Sequence, residues 1–394
     1  MCIRDRGLGY DVIGYAISAA TPFLLLYFLG PKIANLVPGG ATLPQFINIR
    51  YGRTAQIVVS LVAIIYMSAF LVAEFASINF LFPSIAEVSG LRIMILVGVF
   101  TYAYLKKSGF KASYITDKFQ GIGIILLLIV LFSIWFSQNS FSEIVNYSKL
   151  GGLGTFETFS LKSALAVILA VTAAEIFSQG YWQRTFSAKN EETIKKASII
   201  SAIGAFLTIL LIGIAGDVGA GKGLESPTLS FIGQLELNLF SSVLLVSLCT
   251  LLVASSIDTL ENAISSTISL DLIGKGAKEA QYITLAIIHF AIFAAIYVTN
   301  IFSVFLVADL LATCLVFPAF YKLKSKSKDH FLLVPFIFSL LSVFIYRYIF
   351  IDLTNNPGGI FIPTDLYGLA DLNTFLIGFL TSIIFTFAYD KISK

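Results

Sequence analysis

Charge is scarce in this sequence. Asp, Glu, Lys and Arg make up 12% of its 394 residues, about half of what a soluble domain carries. Such a chain has too little polar surface to stay in water, and 57% of its residues are hydrophobic. Histidine and cysteine are nearly missing too. The two histidines, His289 and His330, and the three cysteines, Cys2, Cys249 and Cys314, are scattered, with Cys249 and Cys314 inside apolar runs. Neither a disulfide framework, a thiolate metal site nor histidine-based catalysis is supported, so no enzyme is expected. A polytopic membrane protein remains.

Apolar runs suited to a bilayer core, which takes about 20 helical residues, lie near residues 8–37, 54–82, 91–105, 117–137, 161–183, 195–216, 237–273, 279–299, 301–321, 330–350 and 371–389. That makes about eleven transmembrane helices in a single domain, 1–394. With the end of the first span placed inside, nineteen of the 26 basic residues fall in inner segments, Arg50, Arg53 and Arg184 among them. This alternation puts the amino end outside and the carboxyl end in the cytoplasm of a cell carrying the chain in its plasma or inner membrane. Two of the outer exceptions, Arg4 and Arg6, belong to the opening MCIRDR, which has no apolar core to make it a signal peptide and reads as foreign sequence. The run 237–273 is too long for one crossing, so its end should project or its helix tilt. Between spans, 37–53 reads mostly as a surface connector, 139–158 as loop, and 217–236 as loop with a short helix over an outer mouth.

In the stretch Leu251–Ile273, the residues Ser255, Thr259, Asn262, Ser266 and Ser269 recur at steps of four and three, which places them on one helical face. That face cannot look at lipid. For Ser266 and Ser269 the favoured reading is hydroxyls bonded back to their own helix; for Ser255, Ser256, Asp258 and Thr259 it is an ion or substrate site. Further acids lie inside spans: Glu74, Glu175 with Gln179 one turn later, and Asp309. Each is too costly to face lipid. They are expected to line a cavity that favours a hydrogen-bond-donating or positively charged solute, such as urea, an amine or a polyamine. For Glu74 and Asp309 an internal acid, protonated or bonded to a hydroxyl, is the competing reading.

Several stretches taken together resemble the sodium/solute symporter family. These are TLPQFINIRYGR (42–53), GFKASYITDKFQG (109–121), the cluster Ser255, Ser256, Asp258 and Thr259 with Asp271 closing it, and, more weakly, QRTFSAKN (183–190). The resemblance implies an all-α fold of the leucine-transporter type, in which two five-helix units repeat with inverted topology and hold solute and sodium near the midplane. On it, 7–137 is what this chain carries of the first repeat, 161–321 is the second, and 330–390 holds two additional helices. The segment from Gly7 aligns with the family's second core helix, so the chain is expected to be an amino-terminally truncated member lacking the first.

The resemblance also implies roles. Sodium, the expected coupling ion, would take the hydroxyls of Ser255 and Ser256 and the carbonyl of Leu252, with Asp258 and Thr259 beside them; no other metal is expected. Asp117 matches an acid on the ion's inner route, although a helix-start acid capped by Thr116 reads equally well. Sugar-carrying members place a Glu, a Ser, an Asn and an aromatic gate where an ungapped alignment puts Gly14, Ile17, Val171 and Ala174, so sugar is disfavoured. The expected function is sodium-coupled symport of a small organic solute by alternating access. A proton-coupled permease of the same fold, and a non-transporting sensor-type or inactive fragment, are the alternatives.

Overall fold

The computed structural model describes residues 9–86, 88–108, 110–153, 157–224, 230–274, 277–298, 300–351, 359–365 and 368–392. The opening MCIRDR with Arg4 and Arg6, Gly7, Gly109, Pro227, Lys275 and Lys394 lie outside them. Without water inside a bilayer every backbone amide must be satisfied within its own segment, so apolar runs become helices. In chain order they are α1 (Gly9–Leu36), α2 (Leu43–Tyr51), α3 (Arg53–Ala86), α4 (Gly90–Ser108), α5 (Phe110–Gln138), α6 (Phe141–Leu150), α7 (Thr158–Glu175), α8 (Gln179–Phe186), α9 (Glu191–Gly221), α10 (Ser230–Gly233), α11 (Leu239–Ser266), α12 (Ala277–Tyr297), α13 (Ile301–Phe320), α14 (His330–Phe350) and α15 (Leu372–Ile392). A helix lies at each of the eleven expected span positions. Among the described residues nine are long and apolar enough to cross a membrane, while α4 and α12 fall short of that measure.

Two packing centres organise the bundle. The first is α3, which packs on α4, α11, α12 and α13. The second is α1, which lies along α7 and α9. Small residues allow the second: a Cβ on Gly14 would stand 2.5 Å from the Cβ of Ala164 in α7, and one on Gly213 of α9 would stand 2.6 Å from Val12. Backbones approach this closely in membrane bundles where glycine removes the side chain.

The segments between spans are more structured than the sequence suggests. Residues 37–53 are no surface connector: α2 begins on Thr42, whose side chain accepts from the Gln45 amide, and it buries Leu43, Phe46, Ile47 and Tyr51. The Tyr51 hydroxyl donates to the Pro318 carbonyl at 2.7 Å, and burial pushes its pKa up to about 12. Arg50, only 4% exposed, donates to the carbonyls of Ala319 and Ser325. The expected loop 139–158 holds α6, opened by a capping box between Ser140 and Glu143 and packed on α9. The expected short helix in 217–236 is α10, and α9 runs on to Gly221.

Two spans change shape. The run 161–183 is broken into α7 and α8 at residues 176–178. The end of the 237–273 run leaves α11 as a π-helical turn, Thr267–Ile273, closed by Gly274 at φ +69, a conformation that suits glycine. There Asp271 accepts from Thr42 at 3.0 Å and from Gln56 at 3.1 Å, while Arg53 donates to the carbonyls of Asp271 and Leu272. This ties the 42–53 motif to the closing acid of the serine motif. Arg347 is fully buried in α14 and bonded to Asp371, Thr374 and three carbonyls, so it is no loop charge.

Candidate solute and ion site

The break between α7 and α8 is held by specific bonds. The amides of Phe177 and Ser178 bond to the carbonyls of Ala174 and Glu175, and the buried Trp182 indole donates to the Ile176 carbonyl at 2.6 Å. Glu175 is therefore the last residue of one half-helix, the end at which the helix dipole is negative.

Beside this break lies a cavity of about 490 Å³. Glu74 of α3, Glu175, Arg184 of α8, and Ser255, Ser256 and Thr259 of α11 supply its polar wall, while Phe23, Tyr66, Phe70 and Tyr181 supply an aromatic one. The hydroxyls of Tyr66 and Tyr181 face the Glu175 carboxyl, and that of Ser256 faces Glu74. Arg184 is the only cation among the lining residues, and it is taken: it donates to Asp117 at 2.6 Å, to Thr259 at 3.0 Å and to the Gly180 carbonyl at 2.9 Å. A second cavity of about 540 Å³ adjoins the first, sharing Phe23, Tyr181, Arg184 and Ser201 with it.

The polar stripe on α11 faces α8. Thr259 accepts from Arg184, Asn262 donates to Gln183 at 3.0 Å, and Gln183 donates to Ser266 at 2.6 Å. Ser266 and Ser269 also donate back to the carbonyls of Ala263 and Ser266.

Of the expected site residues, Glu74, Glu175, Ser255, Ser256 and Thr259 are gathered on this one cavity. Leu252 sits on α11 three residues before Ser255. Asp258 points elsewhere, because its position turns it toward α4 and α5. Its carboxyl accepts from Tyr104 at 2.5 Å, Ser113 at 2.9 Å, Thr116 at 3.1 Å and Thr259 at 3.3 Å. Gln179 does not line the cavity either: fully buried, it accepts from the Leu43 amide and donates to the Phe177 carbonyl, joining the break to α2. Asp309 is 3% exposed in α13, close enough to feel the Glu175 charge without lining the cavity. Asp117 is not a helix-start acid, since α5 begins seven residues earlier at Phe110, and Thr116 bonds to Asp258 and the Ser113 carbonyl.

Arg184, Tyr66 and Tyr181 complete the site, although nothing in the sequence marks them as facing an acid. Glu261 is another acid within the apolar run 237–273, fully buried in α11 with one oxygen accepting from Thr101. Among the described residues, no group of three or more His, Cys, Asp or Glu gathers in a way that holds a metal ion. The chemistry available is oxygen coordination by hydroxyls and carbonyls beside a carboxylate-lined cavity.

Comparison with known proteins gives a consistent outline. No family model matches the chain. It is 27% identical over 322 residues to a spermidine transporter of Candida albicans, an alignment covering 78% of this chain and 60% of that protein. It is also 27% identical over 232 residues to an uncharacterized symporter of Escherichia coli, covering 53% of this chain and 40% of the other. The chain thus spans roughly half the length of the curated relatives it matches. Among solved structures, it superposes on a sodium-coupled sialic acid symporter in a substrate-bound outward-open state with a TM-score of 0.62, at 16% identity, over 96% of this chain and 88% of that one. This last likeness carries the fold, and the expected all-α, leucine-transporter-type architecture is present. The relatives are transporters and not enzymes, and the chain, a multi-pass membrane protein, is similar to them over most of its length.

Proposed function

We propose that the chain is a secondary active transporter coupling sodium to the uptake of a small cationic solute, with a polyamine or amine favoured over sugar. The observation that carries this is the charge of the cavity. Glu74 and Glu175 face it, and the Arg184 guanidinium, the one positive group in its wall, is neutralised by Asp117. A low-dielectric pocket with two carboxylates and a half-helix carboxyl end favours positive charge. The aromatic wall suits an alkylammonium, which is attracted to ring faces. That the Candida albicans relative is a spermidine transporter supports the same class.

Sodium belongs at Ser255 and Ser256, whose hydroxyls meet the cavity next to Glu74, with the Leu252 carbonyl one turn away. Neutral oxygens hold a hard cation without excess charge, so the ion can leave again. Thr259 would link this point to Asp258, and Asp117 with Arg184 would mark the ion's route toward the end of the bundle formed by α2 and α8. Residues 7–137 and 161–321 would then be the two inverted repeats, with 330–390 two added helices, the amino end outside and the carboxyl end in the cytoplasm.

The test is uptake of labelled spermidine by proteoliposomes. Accumulation under an inward sodium gradient at constant pH, and none under a pH gradient in sodium-free buffer, is the expected result. The reverse pattern would assign the chain to proton-coupled permeases. No accumulation under either gradient would count against transport by this chain.

A further inference from the structure

Away from this cavity, the first turn of α1, the first turns of α7 and the last turns of α9 converge. The close approaches of Gly14 to Ala164 and of Gly213 to Val12 draw the three helices together. They carry Asp11, Ser160 with Ser163, and Asp217 into the same junction. Asp11 and Asp217 are each 2% exposed, and Asp217 lies within Coulombic reach of Asp11. Ser160, fully buried, donates to Asp11 Oδ2 at 3.4 Å, and Ser163 stands on the other side of that carboxyl.

The junction is rich in oxygen and poor in donors. Asp11 Oδ1, Asp217 Oδ2 and the hydroxyl of Ser163, itself 1% exposed, are buried without a hydrogen-bond partner among the described residues. Two neighbouring acids alone are no site. The Ser163 oxygen is the independent sign, because a buried hydroxyl left unbonded is destabilising unless something else satisfies it. Among the described residues, no Lys or Arg forms an ion pair with these carboxylates. Lys222, at the end of α9, is turned to Asn139 at 2.5 Å, and Asp365, the other charge acting on Asp11, is an acid as well.

We infer that Asp11, Asp217, Ser160 and Ser163 form a binding site for a hard cation, separate from the serine site on α11. Carboxylate and hydroxyl oxygens, with no imidazole or thiolate, select a hard, oxygen-seeking ion of the sodium or calcium type. The ion joins α1 and α9 to the half-helix α7 and neutralises charge that the small-residue packing has forced together. It stabilises this junction and leaves the Glu74–Glu175 cavity unchanged.

The experiment uses the whole chain in detergent carrying Ser255→Ala and Ser256→Ala, so that ion binding on α11 is weakened and the two sites are read apart. Thermal melting is followed while sodium, and separately calcium, is titrated against choline at constant ionic strength and pH. A saturable rise in melting temperature with one of the two ions is expected, and which ion acts identifies the occupant. Adding Asp11→Asn and Asp217→Asn should abolish the rise, and Ser160→Ala with Ser163→Ala, which leaves both charges in place, should weaken the midpoint about tenfold. No rise with either ion, or a rise that the Asn and Ala variants leave intact, overturns the site. So does a melting temperature that responds to pH alone, since the carboxyls would then share a proton. If the Asn pair does not fold, the serine pair decides alone: an unchanged midpoint refutes the assignment.

Discussion

Arg184 and Asp117 meet at 2.6 Å across the junction of α8 and α5. Their side chains are 37% and 22% exposed, so as a surface ion pair the contact would add little stability. Its importance lies in where the guanidinium stands. Arg184 lines both cavities and also bonds to Thr259 of the polar stripe, so Asp117 decides whether the solute meets a free cation or a neutral pair.

This predicts a non-additive pair of variants. Asp117→Asn leaves the guanidinium uncompensated, which in a site of effective dielectric about 20 opposes a bound ammonium by on the order of 1–2 kcal/mol, roughly tenfold in affinity. The apparent KM for spermidine should rise by that factor in proteoliposomes. Combining Asp117→Asn with Arg184→Gln should bring it back near the starting value, because the charge that did the harm is gone. Equal, additive losses from both changes would show that the pair serves folding instead.

The hydroxyls of Ser255 and Ser256 open on the cavity and are not packed in the core. Replacing both by Ala should therefore raise the sodium concentration for half-maximal uptake at least about tenfold while leaving the melting temperature in sodium-free buffer within a few degrees. Sodium titration of uptake together with thermal melting reads both. An unchanged sodium dependence removes the two serines from the ion site.

The Trp182 indole is a side-chain donor within the break between α7 and α8. Trp182→Phe keeps the packing but leaves the Ile176 carbonyl without its 2.6 Å donor, a loss of about 1–3 kcal/mol for a buried acceptor. A lower melting temperature and a higher KM for solute are expected together, since Glu175 hangs on the same turn. If KM moves without any loss of stability, Trp182 contacts the solute instead of shaping the break.

How far the sequence shows this arrangement depends on the signal. The spans are legible because hydropathy alone forces helices in a bilayer, and the stripe from Ser255 to Ser269 is legible because the helical period is local. The helix α6 is signalled by the capping-box spacing of Ser140 and Glu143, a cue that the loop reading of 139–158 leaves out. Arg50 and Tyr51 look like surface residues until α2 is seen folded under Pro318 and Ala319. Asp258 misleads for a related reason. Periodicity places it beside the serines, but only the positions of Tyr104, Ser113 and Thr116 on other helices show that its carboxyl is already surrounded. The rule that singles out Glu74, Glu175 and Asp309 applies to Asp11 as well, an acid within an apolar run. Asp217 escapes that rule by one residue, lying just past the run 195–216.

In the proposed function, Glu175 with Glu74 selects positive charge. This is tested most directly by measuring sodium-driven spermidine uptake in proteoliposomes against a series of competitors, for the wild-type chain and for Glu175→Gln. Diamines and polyamines should compete with the wild type while a sugar and a carboxylate of similar size do not, and Glu175→Gln should weaken spermidine about tenfold or more. Sodium-driven uptake of an anionic solute that Glu175→Gln leaves unaltered would contradict the account.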